Sequence, residues 1–478
     1  MEIVAHLTHK AAMMLKKYKL HEVATFELSN VDKKSKEGER SVRLCNFTDV
    51  YYNWAVTRNM EQSFMLATAS ESQIKKLAIR KGQVAITKDS ETRHDIGIPT
   101  YIADDFDNTV LGYHCALITP DQSKVDVRFL NAFLNSKMAK EYFANNASGS
   151  GMRYSLPVDA IKNILLYLPE LEEQKRIGHL LSLIDRKIAL NREINRNLEA
   201  MARQLYDYWF VQFDFPDSEG KPYKSSGGKM VWNDILKREI PDGWEAAQLN
   251  NWLEIKSGFP FKSESYTTFG RYKIITIKNV QDGELITSDC EFVDNVPSRV
   301  KDYVYLKIGD RLISLTGNCG RLCVVCEDNL LLNQRVGLLY CEDLHLEYCY
   351  NLLNSNCMKM EIDNLANGAA QANLSPIELC KANCVMPPKA ILIEYAKSAD
   401  TIRKTIIRNS QEISQLTKQR DELLPLLMNG QVSVMRRAVN CDLSFMYRPV
   451  DSSCRMIRRP LFGWAAASGC GRYVANNA

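Results

Sequence analysis

No run of apolar residues in this chain approaches the roughly 18 that a membrane-spanning helix needs. The N-terminal segment MEIVAHLTHKAAMMLKKYKL also lacks the uninterrupted hydrophobic core of a secretion signal, so a cytoplasmic location is expected. Charge of either sign is scarce in excess: 61 Lys and Arg against 57 Asp and Glu leave a net +4, which is compatible with DNA binding and too small to identify a partner. Cysteine numbers 14 in 478 residues, far from disulfide density, and reduced thiols are expected. The nucleotide loop G-x-x-x-x-G-K-[ST] is missing, and so is the Asn/Asp-Pro-Pro-aromatic motif of amino-methyltransferases; Met386-Pro387-Pro388 lacks its polar residue.

What the chain has is a repeat. LPVDAIKNILLYLP from Leu156 and LSPIELCKANCVMP from Leu374 stand 218 residues apart, each followed by a long helical stretch. The register then holds without a gap. Ile177, Leu181, Ile184, Ile188, Asn191, Asn195, Leu198, Ala202 and Leu205 are matched by Tyr395, Ala399, Ile402, Ile406, Asn409, Ile413, Leu416, Arg420 and Leu423. Sustained 4-3 spacing of mostly apolar residues is the seam of a coiled coil. Upstream, Arg80-Lys81-Gly82-Gln83-Val84-Ala85-Ile86-Thr87 parallels Lys307-Ile308-Gly309-Asp310-Arg311-Leu312-Ile313-Ser314, and Phe133-Leu134-Asn135-Ser136 parallels Leu352-Leu353-Asn354-Ser355. A tandem duplication follows, each copy having a globular half and a helix.

Short β-rich runs such as Val42–Cys45, Gln83–Ile86 and Tyr272–Ile277 alternate with turns at Gln281-Asp282-Gly283 and Thr316-Gly317-Asn318, and helical stretches such as Phe129–Phe143 are mixed in, so each globular half is expected to be α+β. The first long helix opens after Pro169 with Glu172 and Glu173 in its first turn and is exhausted before Pro216. The second follows Pro387-Pro388 and stops near Gly430, with Pro425 expected to disturb its last turn. Because the second globular half lies between the two helices, antiparallel pairing needs no chain crossing. Asn191 and Asn409, each near its helix midpoint, would then meet at a pseudo-two-fold axis and fix register at some cost in stability. A helix of about 40 residues is about 60 Å long, so the expectation is two globular readers held apart by a rod, a spacing suited to two half-sites on one face of a duplex.

Several motifs together carry a resemblance: LYDYWFVQFDFP (205–216), IPDGWEAAQL (240–249), TKDSETRHDIG (87–97), LNQRVGLL (332–339), NGAAQANLS (367–375) and ELLPLLMNGQV (422–432). In order and spacing the chain, over residues 20 to 434, resembles the specificity subunit of type I restriction-modification enzymes. The resemblance implies an α+β fold with two tandem target recognition domains, pseudo-two-fold duplicated and separated by two long helices in an antiparallel coiled coil. Its expected boundaries are 1–168 for the first recognition domain, 169–212 for the central helix and 213–240 for a linker. The second recognition domain would occupy 241–386 and the distal helix 387–430. Residues 431–478 are expected to be a disordered or non-native tail, since the chain departs from the family after Val434 and residues 436–478 hold seven Arg but no Lys and no Glu. It further implies a non-catalytic chain that reads a bipartite, asymmetric DNA sequence and carries two modification subunits and the restriction subunits. S-adenosylmethionine, ATP and Mg²⁺ would be bound by those partners and no cofactor by this chain. A stand-alone DNA-binding or structural coiled-coil protein is the other non-enzymatic reading.

Two patterns invite chemistry of the chain's own. Pro241-Asp242 with Glu254-Ile255-Lys256 has the residue types of a metal-dependent nuclease, yet Pro241-Asp242-Gly243-Trp244 reads equally as a turn entering a strand. Cys319, Cys323 and Cys326 are spaced like zinc ligands, but Cys323 and Cys326 would face opposite sides of a strand. DNA contacts are proposed from side-chain chemistry and loop position: Lys88, Ser90, Arg93, Arg153 and Tyr154 in the first half, and Lys278, Asn279, Asn318, Arg321, Gln334, Arg335, Gln371 and Asn373 in the second. Structural hydrogen bonding is the alternative at each. By the resemblance, Asn333-Gln334 and Gln371-Ala372-Asn373 lie in motifs shared by proteins that read different sequences, which favours scaffold or phosphate roles there.

Overall fold

The computed structural model describes residues 7–9, 15–151, 153–366 and 372–434. They form two compact units: the described residues of Met1–Leu181 and Leu424–Ala478, and Ser182–Leu423. Among the described residues no helix is long and apolar enough to cross a membrane.

In the first unit Val84–Thr87 is buried at every residue and takes the middle of a five-stranded sheet ordered Ala24–Leu28, Cys115–Pro120, Val84–Thr87, Pro99–Ile102, Ala55–Val56. A continuous apolar and β-branched run without alternation suits a strand covered on both faces. The turn feeding it places Gly82 at φ +89°, a left-handed conformation that a side chain resists, and Gln83 Oε1 accepts the Arg80 N–H at 2.7 Å. The second unit repeats this construction. Gly309 has φ +99°, the Asp310 carboxylate accepts the Lys307 N–H at 2.8 Å, and Arg311–Ser314 is buried throughout. Its sheet runs Glu254–Ser257, Val336–Tyr340, Arg311–Ser314, Leu322–Val324.

The duplication extends to strand direction. Arg40–Cys45 pairs in parallel with Thr109–Leu111 and antiparallel with Met65–Ala69; Tyr272–Ile275 pairs in parallel with Leu330–Leu332 and antiparallel with Glu291–Val293. Lys16–Lys19 pairs with Leu165–Leu168 as Glu245–Gln248 pairs with Asn383–Met386. Ser136 and Ser355 cap matching helices, each hydroxyl accepting a main-chain N–H at 3.3 Å, from Ala139 and Met358.

The long helices are Leu171–Tyr206, continued by a π-helical turn Asp207–Val211, and Lys389–Met428, which closes at Gly430 with φ +68°. Pro425 does not disturb the second helix as expected. The only intrahelical donor it removes would have bonded the carbonyl of exposed Asp421, and the Asn429 N–H still reaches Pro425 O at 3.0 Å. The helices begin against unlike seats. In the first unit, buried Gln174 accepts the Asp126 N–H at 3.1 Å and donates to Lys124 O at 3.1 Å and Pro169 O at 2.9 Å. One turn on, a Cβ at Gly178 would stand 2.6 Å from Asp126 Oδ1 and 2.7 Å from Phe129 N. In the second unit the seat is apolar: Leu392 and Tyr395 enter a core with Tyr206, Trp209, Phe210, Trp244 and Tyr348, the Phe210 and Tyr395 rings meeting edge-on at 4.8 Å.

Within the second unit the two helices run antiparallel, since Asp185 meets Arg420 at 3.9 Å while Glu199 pairs with Arg403. Ile184, Ile188, Asn191, Ile406 and Leu416 are buried in the seam, and Leu198, Ile402 and Asn409 are half-buried. The expected meeting of Asn191 with Asn409 does not occur. Asn191 donates to Glu412 at 2.8 Å, and Asn409 donates to Asn195 at 3.0 Å, one helical turn along the first helix. A charged cluster accounts for this register. Arg403, 2% exposed, lies between Glu199 and Glu347 and 4.5 Å above the Tyr350 ring, and Glu347 also holds Arg311. A buried guanidinium without these carboxylates would be far costlier than a displaced Asn pair.

Val432–Val434 forms a strand paired antiparallel with Leu7–His9, which corrects the expected lack of order for that part of 431–478; residues 435–478 lie outside the described residues.

Candidate nucleic-acid interface

In the first unit the five sequence candidates gather around one small sheet, ordered Ser148–Ser150, Arg153–Ser155, Asp89–Ser90. Tyr154 pairs with Ser90 and Ser155 with Asp89, while Arg153 is exposed. Ser90 Oγ accepts the Thr92 N–H at 3.2 Å, and exposed Arg93 reaches Ala147 O at 3.4 Å. Lys88 Nζ binds Asp89 at 2.7 Å and sits 5.3 Å over the Tyr113 ring. His114 Nδ1 is 2.6 Å from the same carboxylate. Burial raises the Asp89 pKa, but hydrogen bonds with Lys88, Ser155 and His114 outweigh it and hold the carboxyl below its ordinary range.

The second unit has an open cleft of about 500 Å³ lined by Ser257, Thr316, Gln334, Arg335, Asn373 and Ser375 among others. Thr316 forms a bridge with Asn373, and its hydroxyl lies 3.2 Å from Asn373 Oδ1. Gln334 and Arg335 are exposed, held from below by Asn333, whose Oδ1 accepts the Arg335 N–H at 3.3 Å. Asn318 is exposed in the turn between Gly317 and Gly320, and its carbonyl accepts the Ser314 hydroxyl at 2.6 Å.

Lys278, Asn279 and Arg321 form a different group beside the hairpin of Val280–Gln281 and Glu284–Leu285. Lys278 faces Glu291 at 4.0 Å, and Arg321 donates to the Gln281 side chain. Asn279 is corrected as a DNA contact. It is 1% exposed, its Oδ1 accepts from the Thr276 N–H and hydroxyl at 2.8 Å each, and its Nδ2 donates to Ile286 O at 3.0 Å, so the amide is consumed in building the turn. Gln371 lies outside the described residues.

The side chains of the nuclease-like and zinc-like patterns are engaged in turns, ion pairs and cores. Pro241-Asp242-Gly243-Trp244 is a turn, with the Trp244 N–H 3.1 Å from Pro241 O and Gly243 at φ +79°. Asp242 pairs with Lys229, and Glu254 with Lys256. Cys323 is buried in one core, while Cys319 and Cys326 pack against the other. Among the described residues no group of three His, Cys, Asp or Glu could hold a metal ion.

Sequence reasoning missed Tyr113, His114 and Asp89. The signal was present: LGYHCALI (111–118) occupies in the first half the place of LNQRVGLL (332–339) in the second, which the structure reveals through matching strand pairings.

Residues 15–200 match the type I restriction modification DNA specificity domain. The chain is 26% identical over 406 residues to the type I restriction enzyme HindI specificity subunit of Haemophilus influenzae, across 75% of this chain and 88% of that protein. It is also 26% identical over 327 residues to the MjaIX specificity subunit of Methanocaldococcus jannaschii, across 64% of this chain and 69% of that one. Its fold is similar to the crystal structure of a type I restriction-modification S subunit from M. genitalium, with a TM-score of 0.50 and 14% identity over 87% of this chain and 96% of the other. With the duplicated architecture, these matches show that the chain is similar to the specificity subunits of type I restriction-modification systems.

Proposed function

We propose that this chain reads a bipartite, asymmetric DNA sequence for a type I restriction-modification complex in the cytoplasm. One recognition unit addresses each half-site, and two modification subunits and the restriction subunits assemble on the chain. The observation that carries this reading is one main-chain frame occurring twice, the first copy presenting cationic and hydroxyl-bearing side chains, Lys88, Ser90, Arg93, Arg153 and Tyr154 around Asp89–Ser90, and the second cationic and amide-bearing ones, Gln334, Arg335 and Asn373 around Thr316. Arg suits guanine O6 and N7, and Asn or Gln suits adenine N6 and N7; Lys88, Arg93 and Arg153 equally suit phosphate. Asn318, Lys278 and Arg321 are flanking contacts. The chain contributes recognition and no chemistry; the partners supply S-adenosylmethionine, ATP and Mg²⁺.

The test is exchange of residues 241–385 for the equivalent segment of a relative, in complex with the modification subunit, followed by sequencing of methylated adenines. One half of the target should change while the other stays. A change in both halves, or in neither, refutes the modular reading.

A further inference from the structure

The two recognition frames share the same strand pairing and main-chain hydrogen bonds. Cys115 pairs with Thr87 as Val336 pairs with Ser314, so His114 and Arg335 each immediately precede the strand beside the buried central one. The Lys88 N–H bonds His114 O at 2.8 Å, and its counterpart, the Leu315 N–H, bonds Arg335 O at 3.0 Å. On the other side, the Leu156 N–H bonds Lys88 O at 2.6 Å as the Leu374 N–H bonds Leu315 O at 2.8 Å. These main-chain relations place one exposed residue at the same point of each frame.

We propose that His114 is the base-reading residue of the first unit, the counterpart of Arg335 in the second, and that Asp89 positions it. The inference rests on the DNA-reading function proposed above and assigns a residue within it. His114 has φ +72°, a conformation that non-glycine residues seldom adopt and that concentrates at functional positions. Its side chain is 49% exposed. The Asp89 carboxylate engages Nδ1 at 2.6 Å, which sets the ring's orientation and leaves Nε2 for an incoming group. Lys88 shares that carboxylate and rests on Tyr113, so the group that orients the ring is itself held by an ion pair. Imidazole and guanidinium then offer different contact sets at one position: a single nitrogen to a base edge in the first half-site, a two-pronged donor in the second. Unlike side chains in like frames suit an asymmetric target.

The test uses the full chain in complex with its modification subunit, with methylated adenines mapped for wild type, His114→Asn and His114→Gly. Both replacements accept a left-handed backbone, so folded protein is expected, and the melting temperature of each complex checks this. The expected result is relaxation of the same base position within one half-site in both variants, discrimination there falling roughly tenfold, with the other half-site and the spacing unchanged. Asp89→Asn should relax that position more weakly. Wild-type selectivity in both His114 variants overturns the assignment. Uniform weakening at every position with a shallower salt dependence also overturns it, since that is the mark of a phosphate contact. If the wild-type complex itself methylates no bipartite motif, the DNA-reading function falls, and this inference with it.

Discussion

Glu347→Gln keeps the shape of a buried side chain and removes the charge that Arg311 and Arg403 share. Before the change, the cluster of Arg311, Arg403, Glu347 and Glu199 is neutral, with Glu347 and Arg403 each 2% exposed and Arg311 5% exposed. Afterwards two guanidinium groups face one carboxylate, and a buried positive charge is left uncompensated. Breaking such a pair costs about 3–5 kcal/mol. Four of the six tryptophans, at 209, 232, 244 and 252, lie in the second unit, so fluorescence during urea unfolding reports chiefly on the half that holds the cluster. With a slope of about 3 kcal/mol per molar urea, the midpoint should fall by roughly 1–1.7 M. A pH series adds a second reading. Burial raises the Glu347 pKa, but Arg311 and Arg403 outweigh it and hold the carboxyl below its ordinary value. A depressed carboxylate stabilises the fold above its unfolded pKa and loses that contribution as pH falls through the folded one, so wild type and variant should converge in strong acid. A midpoint shift under about 0.3 M at neutral pH would refute the cluster's role.

Three further outcomes are expected. Arg335→Ala should cost roughly 1–3 kcal/mol of DNA affinity and relax one base of the second half-site if Arg335 reads guanine; titrating the variant complex against sequences altered at single positions checks this, and unchanged binding removes the residue from the interface. Gly178→Ala should destabilise the first unit, although Ala is normally the better helix former by about 1 kcal/mol, because the added carbon would collide with Asp126 Oδ1 and Phe129 N; a rise in melting temperature would contradict this. Asp185 is pushed up to about 6, by burial and despite Arg420 and Arg192, so its native form favours the proton and stability should decline as pH rises from about 4 to 6; Asp185→Asn should stabilise the chain at pH 7 by at most about 3 kcal/mol and lose that advantage near pH 4, which denaturation at the two pH values decides.

The long helices were legible to within a few residues, because 4-3 spacing is a local property and the flanking prolines and Gly430 mark their ends. The Val84–Thr87 and Arg311–Ser314 strands were legible as paired apolar runs behind matching glycines. Register between the helices was not. It depends on Glu347, far from both helices in sequence, completing the site for Arg403, and no local pattern announces such a partner. Asn279 misled because a turn-building amide and a base-reading amide look alike until burial and partners are known. His114 escaped for the opposite reason: its meaning comes from its place beside Asp89 and from its equivalence to Arg335, both products of strand pairing.

The unlike seats of the two long helices have different thermal characters. Five large aromatic rings, Tyr206, Trp209, Phe210, Tyr348 and Tyr395, close around the start of the second helix. At about 200 Å² each and about 0.45 cal/K/mol per Å² of apolar surface, they contribute on the order of 0.5 kcal/mol/K to the heat capacity of unfolding. The Gln174 seat, made of hydrogen bonds to Asp126, Lys124 and Pro169, contributes little of that sign. Chilling therefore weakens the aromatic seat of the second helix more than the Gln174 hydrogen bonds at the start of the first.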